Sequence, residues 1–215
     1  MNFTPALKNW IKVLALLLMA VMAVGCAPKE LPDYTSTEQG GVENVNFRET
    51  DEITTTVKIE MTDGGIMLVE LYPDVAPVTV ANFQKLVSEH FYDGLIFHRV
   101  IKNFMIQSGD PTGTGNGGAN EKITGEFAAN GFNNTLKHTR GVISMARAKA
   151  YDSASSQFFI CQVDYPSLNG NYAAFGKMIA GFDTLDAIAT TQTNVNDRPL
   201  SDQRISTIRF ITVTP

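Results

Sequence analysis

Clustered lysine and arginine are missing from this chain. Its formal net charge is −5 over 215 residues. Phosphate contacts need grouped cations, so nucleic acid is excluded as a partner. Metal-ligand spacing is missing as well. Asp110, Glu121 and Glu126 are scattered carboxylates, and no metal centre or other cofactor is expected. The Gly-rich run GTGNGG (113–118) has no Lys-Ser/Thr after it and opens no helix pattern, which excludes a nucleotide loop. Cysteine is scarce: Cys26 and Cys161 are the two present. Cys161 ends the apolar run Phe158–Cys161 and reads as a buried small hydrophobe, not a reactive thiol. No internal repeat occurs. The one long apolar run, Val13–Val24, is too short and too abruptly ended for a comfortable membrane span.

What is present begins with an export signal. Lys8 and Lys12 precede that apolar run, which stops at Ala23-Val24-Gly25-Cys26. Small residues before a cysteine resemble the lipobox of bacterial lipoproteins. The resemblance implies a signal peptide over 1–25, with Cys26 as the lipid-bearing N-terminus and a bacterial cell membrane as the site of attachment. Cys161 would then have no disulfide partner. An ordinary signal peptide or a short anchor is the alternative, and either also sends the domain out of the cytoplasm. Residues 26–52 are polar, acidic and poor in apolar side chains, so they read as a flexible tether.

From Ile53 to Pro215 the composition is that of a domain, and 44% hydrophobic content over the chain supports a real core. Thr56–Met61 and Ile66–Leu71 read as strands joined at Asp63-Gly64-Gly65. Pro77 suits the first turn of a helix, and Val80, Phe83, Leu86 and Val87 follow at helical spacing. Strands are expected at 96–100, 104–108, 142–146, 157–163, 173–178 and 204–213, with a second helix through Phe182, Leu185, Ile188 and Ala189. Many short strands with two helices predict a mainly β fold, a closed antiparallel barrel with helices over its ends.

The most informative stretch is Phe97–Asp110, FHRVIKNFMIQSGD. It sets a permanent cation, Arg99, near the apolar pair Phe104 and Met105 and the amide of Gln107. The stretch offers no nucleophile and no general base, since His98 has no proton transfer to perform and reads as structural. Such a set suits a reaction in which a bond twists and none is cut. Rotation about the peptide bond before proline, with a barrier of about 18–20 kcal/mol, is such a reaction.

FHRVIKNFMIQSGDPTGTGNGG (97–118), HTRGVISMARA (138–148), SASSQFFI (153–160) and LNGNYAAFGKMIAG (168–181) together resemble the cyclophilin-type peptidyl-prolyl cis-trans isomerases in their compact bacterial form. The resemblance covers residues 53–215. It implies an eight-stranded closed barrel capped by two α-helices, with a shallow groove for extended proline-containing polypeptides. It assigns the catalytic role to Arg99 and the proline pocket to Phe104, Met105, Phe159 and Leu168. Gln107 matches the amide that holds the substrate backbone. Ala146 and Arg147 fall where the family binds peptide backbone, Arg147 replacing the usual asparagine. Gln157 matches a groove glutamine, Gly115 a loop glycine by the neighbouring pocket, and Tyr172 a pocket edge where many eukaryotic members carry histidine. Ser167 stands where those members carry tryptophan, so weak cyclosporin binding is expected. The chain is read as a monomer assisting exported proteins to fold. Two other readings are a proline-peptide-binding chaperone or scaffold with little turnover and a surface lipoprotein acting as an adhesin or solute binder. The intact Arg99 argues against the first, and size with the four motifs against the second.

Overall fold

The computed structural model describes residues 41–214. The expected signal peptide, Cys26 and most of the tether lie outside the described residues. Among the described residues no helix is long and apolar enough to cross a membrane.

In chain order the elements are β1 (Asn46–Glu49), β2 (Thr56–Met61), β3 (Ile66–Leu71), α1 (Pro77–Ser88), β4 (Arg99–Ile101), β5 (Met105–Ser108), β6 (Val142–Met145), β7 (Phe158–Cys161), β8 (Ala174–Ala180), α2 (Phe182–Ala189) and β9 (Ile205–Thr214). The strands form one antiparallel sheet in the order β1-β9-β2-β3-β8-β6-β7-β5-β4. The β2–β3 hairpin turns where expected. Gly64 takes a left-handed φ of 90°, and Asp63 accepts the Gly65 N–H at 3.0 Å.

The expected closed eight-stranded barrel needs correction on two counts. There are nine strands among the described residues, and the sheet is not closed by hydrogen bonds. The ninth is β1, from inside the stretch read as tether. That stretch is polar on average, but Val42, Val45 and Phe47 cover an apolar patch of Leu68, Ile179, Ala180 and Ile211 on the outer face of the sheet. Closure fails at β4. This strand has three residues, and its free edge meets the loop ahead of β9, where Val100 donates to the Asp197 carbonyl at 2.8 Å and Phe97 to that of Gln203 at 2.9 Å. A loop takes the donors that a further strand would have used.

Both helices present one apolar stripe to the interior. Val80, Phe83, Leu86 and Val87 of α1 and Phe182, Leu185 and Ile188 of α2 join the same buried cluster as Val57, Ile59, Ile106, Phe158 and Ile160. Phe83 meets Phe158 edge-on at 5.6 Å. The N-terminus of α1 has no local side-chain cap. Glu126, far along the chain and buried, supplies one. Its carboxylate accepts the N–H groups of Val78 at 3.0 Å and Thr79 at 2.8 Å, and the Thr79 hydroxyl at 2.6 Å. A negative charge there also suits the helix dipole.

Candidate active site

Strands β4, β5, β7 and β6 lie side by side, and the pleat sends alternate residues to opposite faces. Val100, Ile106, Phe158, Ile160 and Ile143 belong to the interior cluster. Their neighbours Arg99, Met105, Gln107, Phe159 and Cys161 take the other face. The registers Arg99–Gln107, Gln107–Phe159 and Phe159–Ser144 draw one row across the four strands. On that outer face Met105, Phe159, Cys161 and Leu168 form a separate apolar cluster, with Phe104, Ala146 and Tyr172 against it. Burial pushes the Cys161 thiol up to about 12, helped by nearby Asp164, so it is an inert part of this floor.

Above the floor lies a cleft of about 460 Å³. Arg99, Phe104, Met105, Gln107, Gly115, Ala146, Arg147, Phe159, Leu168 and Tyr172 all line it. Gln157 does not. It sits behind Gln107, accepting from the Gln107 amide nitrogen at 2.8 Å and donating to the carbonyls of Gly115 at 3.0 Å and Gly117 at 2.7 Å. Gln157 therefore orients Gln107 and ties it to the glycine loop. Gly115 needs its left-handed φ of 87° there.

The glycine loop is built around Asp110, which is buried. Oδ1 accepts the Thr112 N–H at 2.7 Å and its hydroxyl at 2.8 Å. Oδ2 accepts the N–H groups of Thr114 at 3.1 Å, Gly115 at 2.6 Å and Gly117 at 3.1 Å. Burial alone would raise the Asp110 pKa. The bonds from Thr112, then Gly117 and Gly115, outweigh it and hold the carboxyl below its usual range.

Sequence reasoning did not find the loop 194–198, which supplies Asn194, Asn196 and Arg198 to the cleft. Asp197 in this loop has a left-handed φ of 62° and sets Oδ2 at 3.4 Å from Arg99 Nε. The terminal nitrogens of Arg99 make no hydrogen bond among the described residues, leaving them to the half-exposed cleft. The run Asn194-Val195-Asn196-Asp197 has turn composition, but nothing local ties it to a strand so far back in the chain.

His138, unmarked in the sequence reading, supports Phe159. The two rings stack at 6.0 Å. The His138 nitrogens contact Asn169 Oδ1 at 3.1 Å and Ser144 Oγ at 3.0 Å, a pair satisfied when Nδ1–H donates to the amide and Nε2 accepts from the hydroxyl. His98 also lines the cleft, with neither ring nitrogen hydrogen-bonded among the described residues. Burial holds both imidazoles below the usual 6.5. At His98 the pull of Asp110 opposes this, and the charges of Arg198 and Arg99 add to it. Below about pH 6.5 the unfolded chain takes up protons that these folded imidazoles resist. The unfolded state then binds more protons, so stability falls as pH falls. The melting temperature should decline from about pH 6.5 towards pH 5, and calorimetry across that window checks it. A flat profile would contradict the burial of both rings as neutral groups.

A family model for "Cyclophilin type peptidyl-prolyl cis-trans isomerase/CLD" matches residues 56–210. Peptidyl-prolyl cis-trans isomerase CYP18-1 of Arabidopsis thaliana is 44% identical over 148 residues, which cover 68% of this chain and 91% of the relative. A solved cyclophilin-type isomerase of Cryptosporidium parvum, determined in the presence of the dipeptide Ala-Pro, aligns with a TM-score of 0.66 at 36% identity, covering 72% of this chain and 97% of that one. A cyclophilin of Hirschia baltica aligns with a TM-score of 0.61 at 25% identity, covering 76% of each chain.

Proposed function

Because the chain belongs to the cyclophilin-type peptidyl-prolyl cis-trans isomerases and catalyses rotation about the bond before proline, we propose that Arg99 is its catalytic residue, acting on exported polypeptides from a lipid anchor on Cys26. One observation carries the catalytic part. Arg99 offers uncommitted guanidinium donors in the same cleft as the apolar floor of Met105, Phe159 and Leu168.

Amide resonance occupies the proline nitrogen lone pair and keeps the bond planar. In the twisted transition state that lone pair is localised on nitrogen. A guanidinium can then donate a hydrogen bond that the planar ground state barely accepts, and this difference raises the rate. Arginine stays charged at any working pH, and its fork is rigid. It cannot act alone. The uncatalysed step takes about 10–100 s, and reaching about 10³ s⁻¹ requires about 7 kcal/mol. One charged hydrogen bond supplies about 1.5–3 kcal/mol. The remainder comes from gripping the ring on Phe104, Met105, Phe159 and Leu168 and from clamping the flanking peptide. Gln107, steadied by Gln157, and the backbone at Ala146 and Arg147 do the clamping, with Gly115 and Tyr172 at the edges. NMR exchange with an X-Pro peptide tests turnover directly. A cleft that binds the peptide without accelerating exchange would leave only a binding module.

The absence of an indole at Ser167, an exposed position beside Leu168, removes a large flat contact. Cyclosporin should therefore inhibit weakly, and inhibition at low nanomolar drug would refute this. The export part rests on the N-terminal sequence. Slow X-Pro isomerisation limits folding, and export delivers chains unfolded. A lipid on Cys26 and the polar stretch after it would hold the domain near, but off, a bacterial cell membrane. Mass spectrometry of the mature protein should find an acylated Cys26 as its first residue; an unmodified, longer N-terminus would exclude the anchor.

A further inference from the structure

A second depression, of about 400 Å³, adjoins the proline cleft and shares Gln107, Gly115, Ala146 and Arg147 with it. Its remaining wall comes from the glycine loop and from Lys122, Ala148, Ser153, Ser155 and Gln157, so the expected groove glutamine lines this hollow and not the first. No aspartate or glutamate among the described residues lines it. This is a local bias against the chain's negative total.

The nearby carboxylates are engaged elsewhere. Glu121, next to Lys122 in sequence, is paired with Lys85 at 2.7 Å. Asp152 accepts from Gly125 N–H at 2.9 Å and Asn130 at 2.8 Å. Asp110 is behind the loop, satisfied by the donors described above. Neither Lys122 nor Arg147 pairs with a carboxylate among the described residues.

Arg147 is moreover a built feature. Its guanidinium carbon stands 5.0 Å from the ring of Phe127, 5.1 Å from Tyr151 and 4.8 Å from Tyr172. Nε and one terminal nitrogen donate to the Asn171 carbonyl at 3.1 and 2.9 Å, and the other donates to that of Ala148 at 3.0 Å. Rings and carbonyls hold the cation in place without neutralising it. A half-buried charge fixed in this way keeps its field at the mouth of the depression.

We propose that this depression selects substrates with an acidic side chain close to the proline, Lys122 and Arg147 being its counter-charges. The inference rests on the isomerase reading above and names the substrate class of that site. An extended peptide advances about 3.3–3.6 Å per residue. The two hollows share a rim, so the acidic residue belongs within about three residues of the proline.

The test is a set of X-Pro peptides with glutamate, or glutamine of the same shape, at each of the positions flanking proline. At one position the glutamate peptide should show a kcat/KM about three- to tenfold above its glutamine twin at low salt. High salt should bring the ratio towards one, since exposed charges are screened. Lys122→Glu should abolish the preference, since the new carboxylate offsets the charge of Arg147. Lys122 is exposed, so this change leaves the fold intact, whereas replacing Arg147 would strand three rings and several carbonyls. Equal rates for every pair, or a ratio untouched by Lys122→Glu, would overturn the acidic preference and leave the isomerase reading standing. Failure to turn over any peptide would overturn both.

Discussion

Arg99→Ala should slow X-Pro isomerisation about a hundred- to a thousandfold and leave the melting temperature within about 2 °C of the parent. The two halves follow from where the residue sits. Its backbone belongs to the β4–β5 ladder opposite Gln107, and alanine keeps that ladder. Its side chain is half-exposed, and its one ion pair among the described residues, to Asp197, is at 3.4 Å. An exposed pair of this kind contributes little to stability. In the mechanism proposed above, the remaining donors of the same side chain serve the proline nitrogen as its lone pair localises, and there the loss would be felt in full. Arg99→Lys should recover at most part of the rate, because a flexible point charge does not replace the planar fork. Exchange spectroscopy on one peptide measures both turnover and binding. Retained binding with lost exchange is the expected result, and a variant as fast as the parent would remove Arg99 from the mechanism.

Asp110→Asn should act in the reverse pattern, costing about 2–4 kcal/mol of stability, or about 5–12 °C in melting temperature. It should lower kcat/KM about tenfold, mainly through KM. The parent carboxylate accepts from Thr112 with one oxygen and from Thr114, Gly115 and Gly117 with the other. Asparagine has one acceptor oxygen, so its NH₂ must face one of these sets of donors. The glycine loop would open at the rim of the cleft. The depressed pKa of Asp110 means that its contribution is present above the usual carboxylate value of 3.8 and is lost as pH falls through the lower folded value. The variant should lack that acid slope. Calorimetry against pH measures both effects, and an unchanged melting temperature would show that the loop does not depend on this charge.

Much of the fold was legible from short-range chemistry. The β2–β3 hairpin, the stripe of α1 from Val80 to Val87 and that of α2 from Phe182 to Ile188 follow from periods of two and 3.6 and from turn residues. The proline-pocket residues Met105 and Phe159 and the amide Gln107 came instead from the four motifs and the family they resemble. Such signals act over a few residues, and the sequence by itself therefore determined eight of the nine strands, both helices and the motif-borne part of the cleft.

Packing decided the rest. Asp197 beside Arg99, Glu126 on the start of α1, His138 behind Phe159, and Lys122 with Arg147 around one hollow are partnerships between residues far apart in the chain. Strand β1 and the residues leading into it are another: Val42, Val45 and Phe47 in a polar stretch have no target until Leu68 and Ile211 form one. The open edge at β4 is the last, since its donors go to a loop whose path depends on where β9 begins. No local period encodes these pairings, because each depends on surfaces that exist only once the sheet has formed.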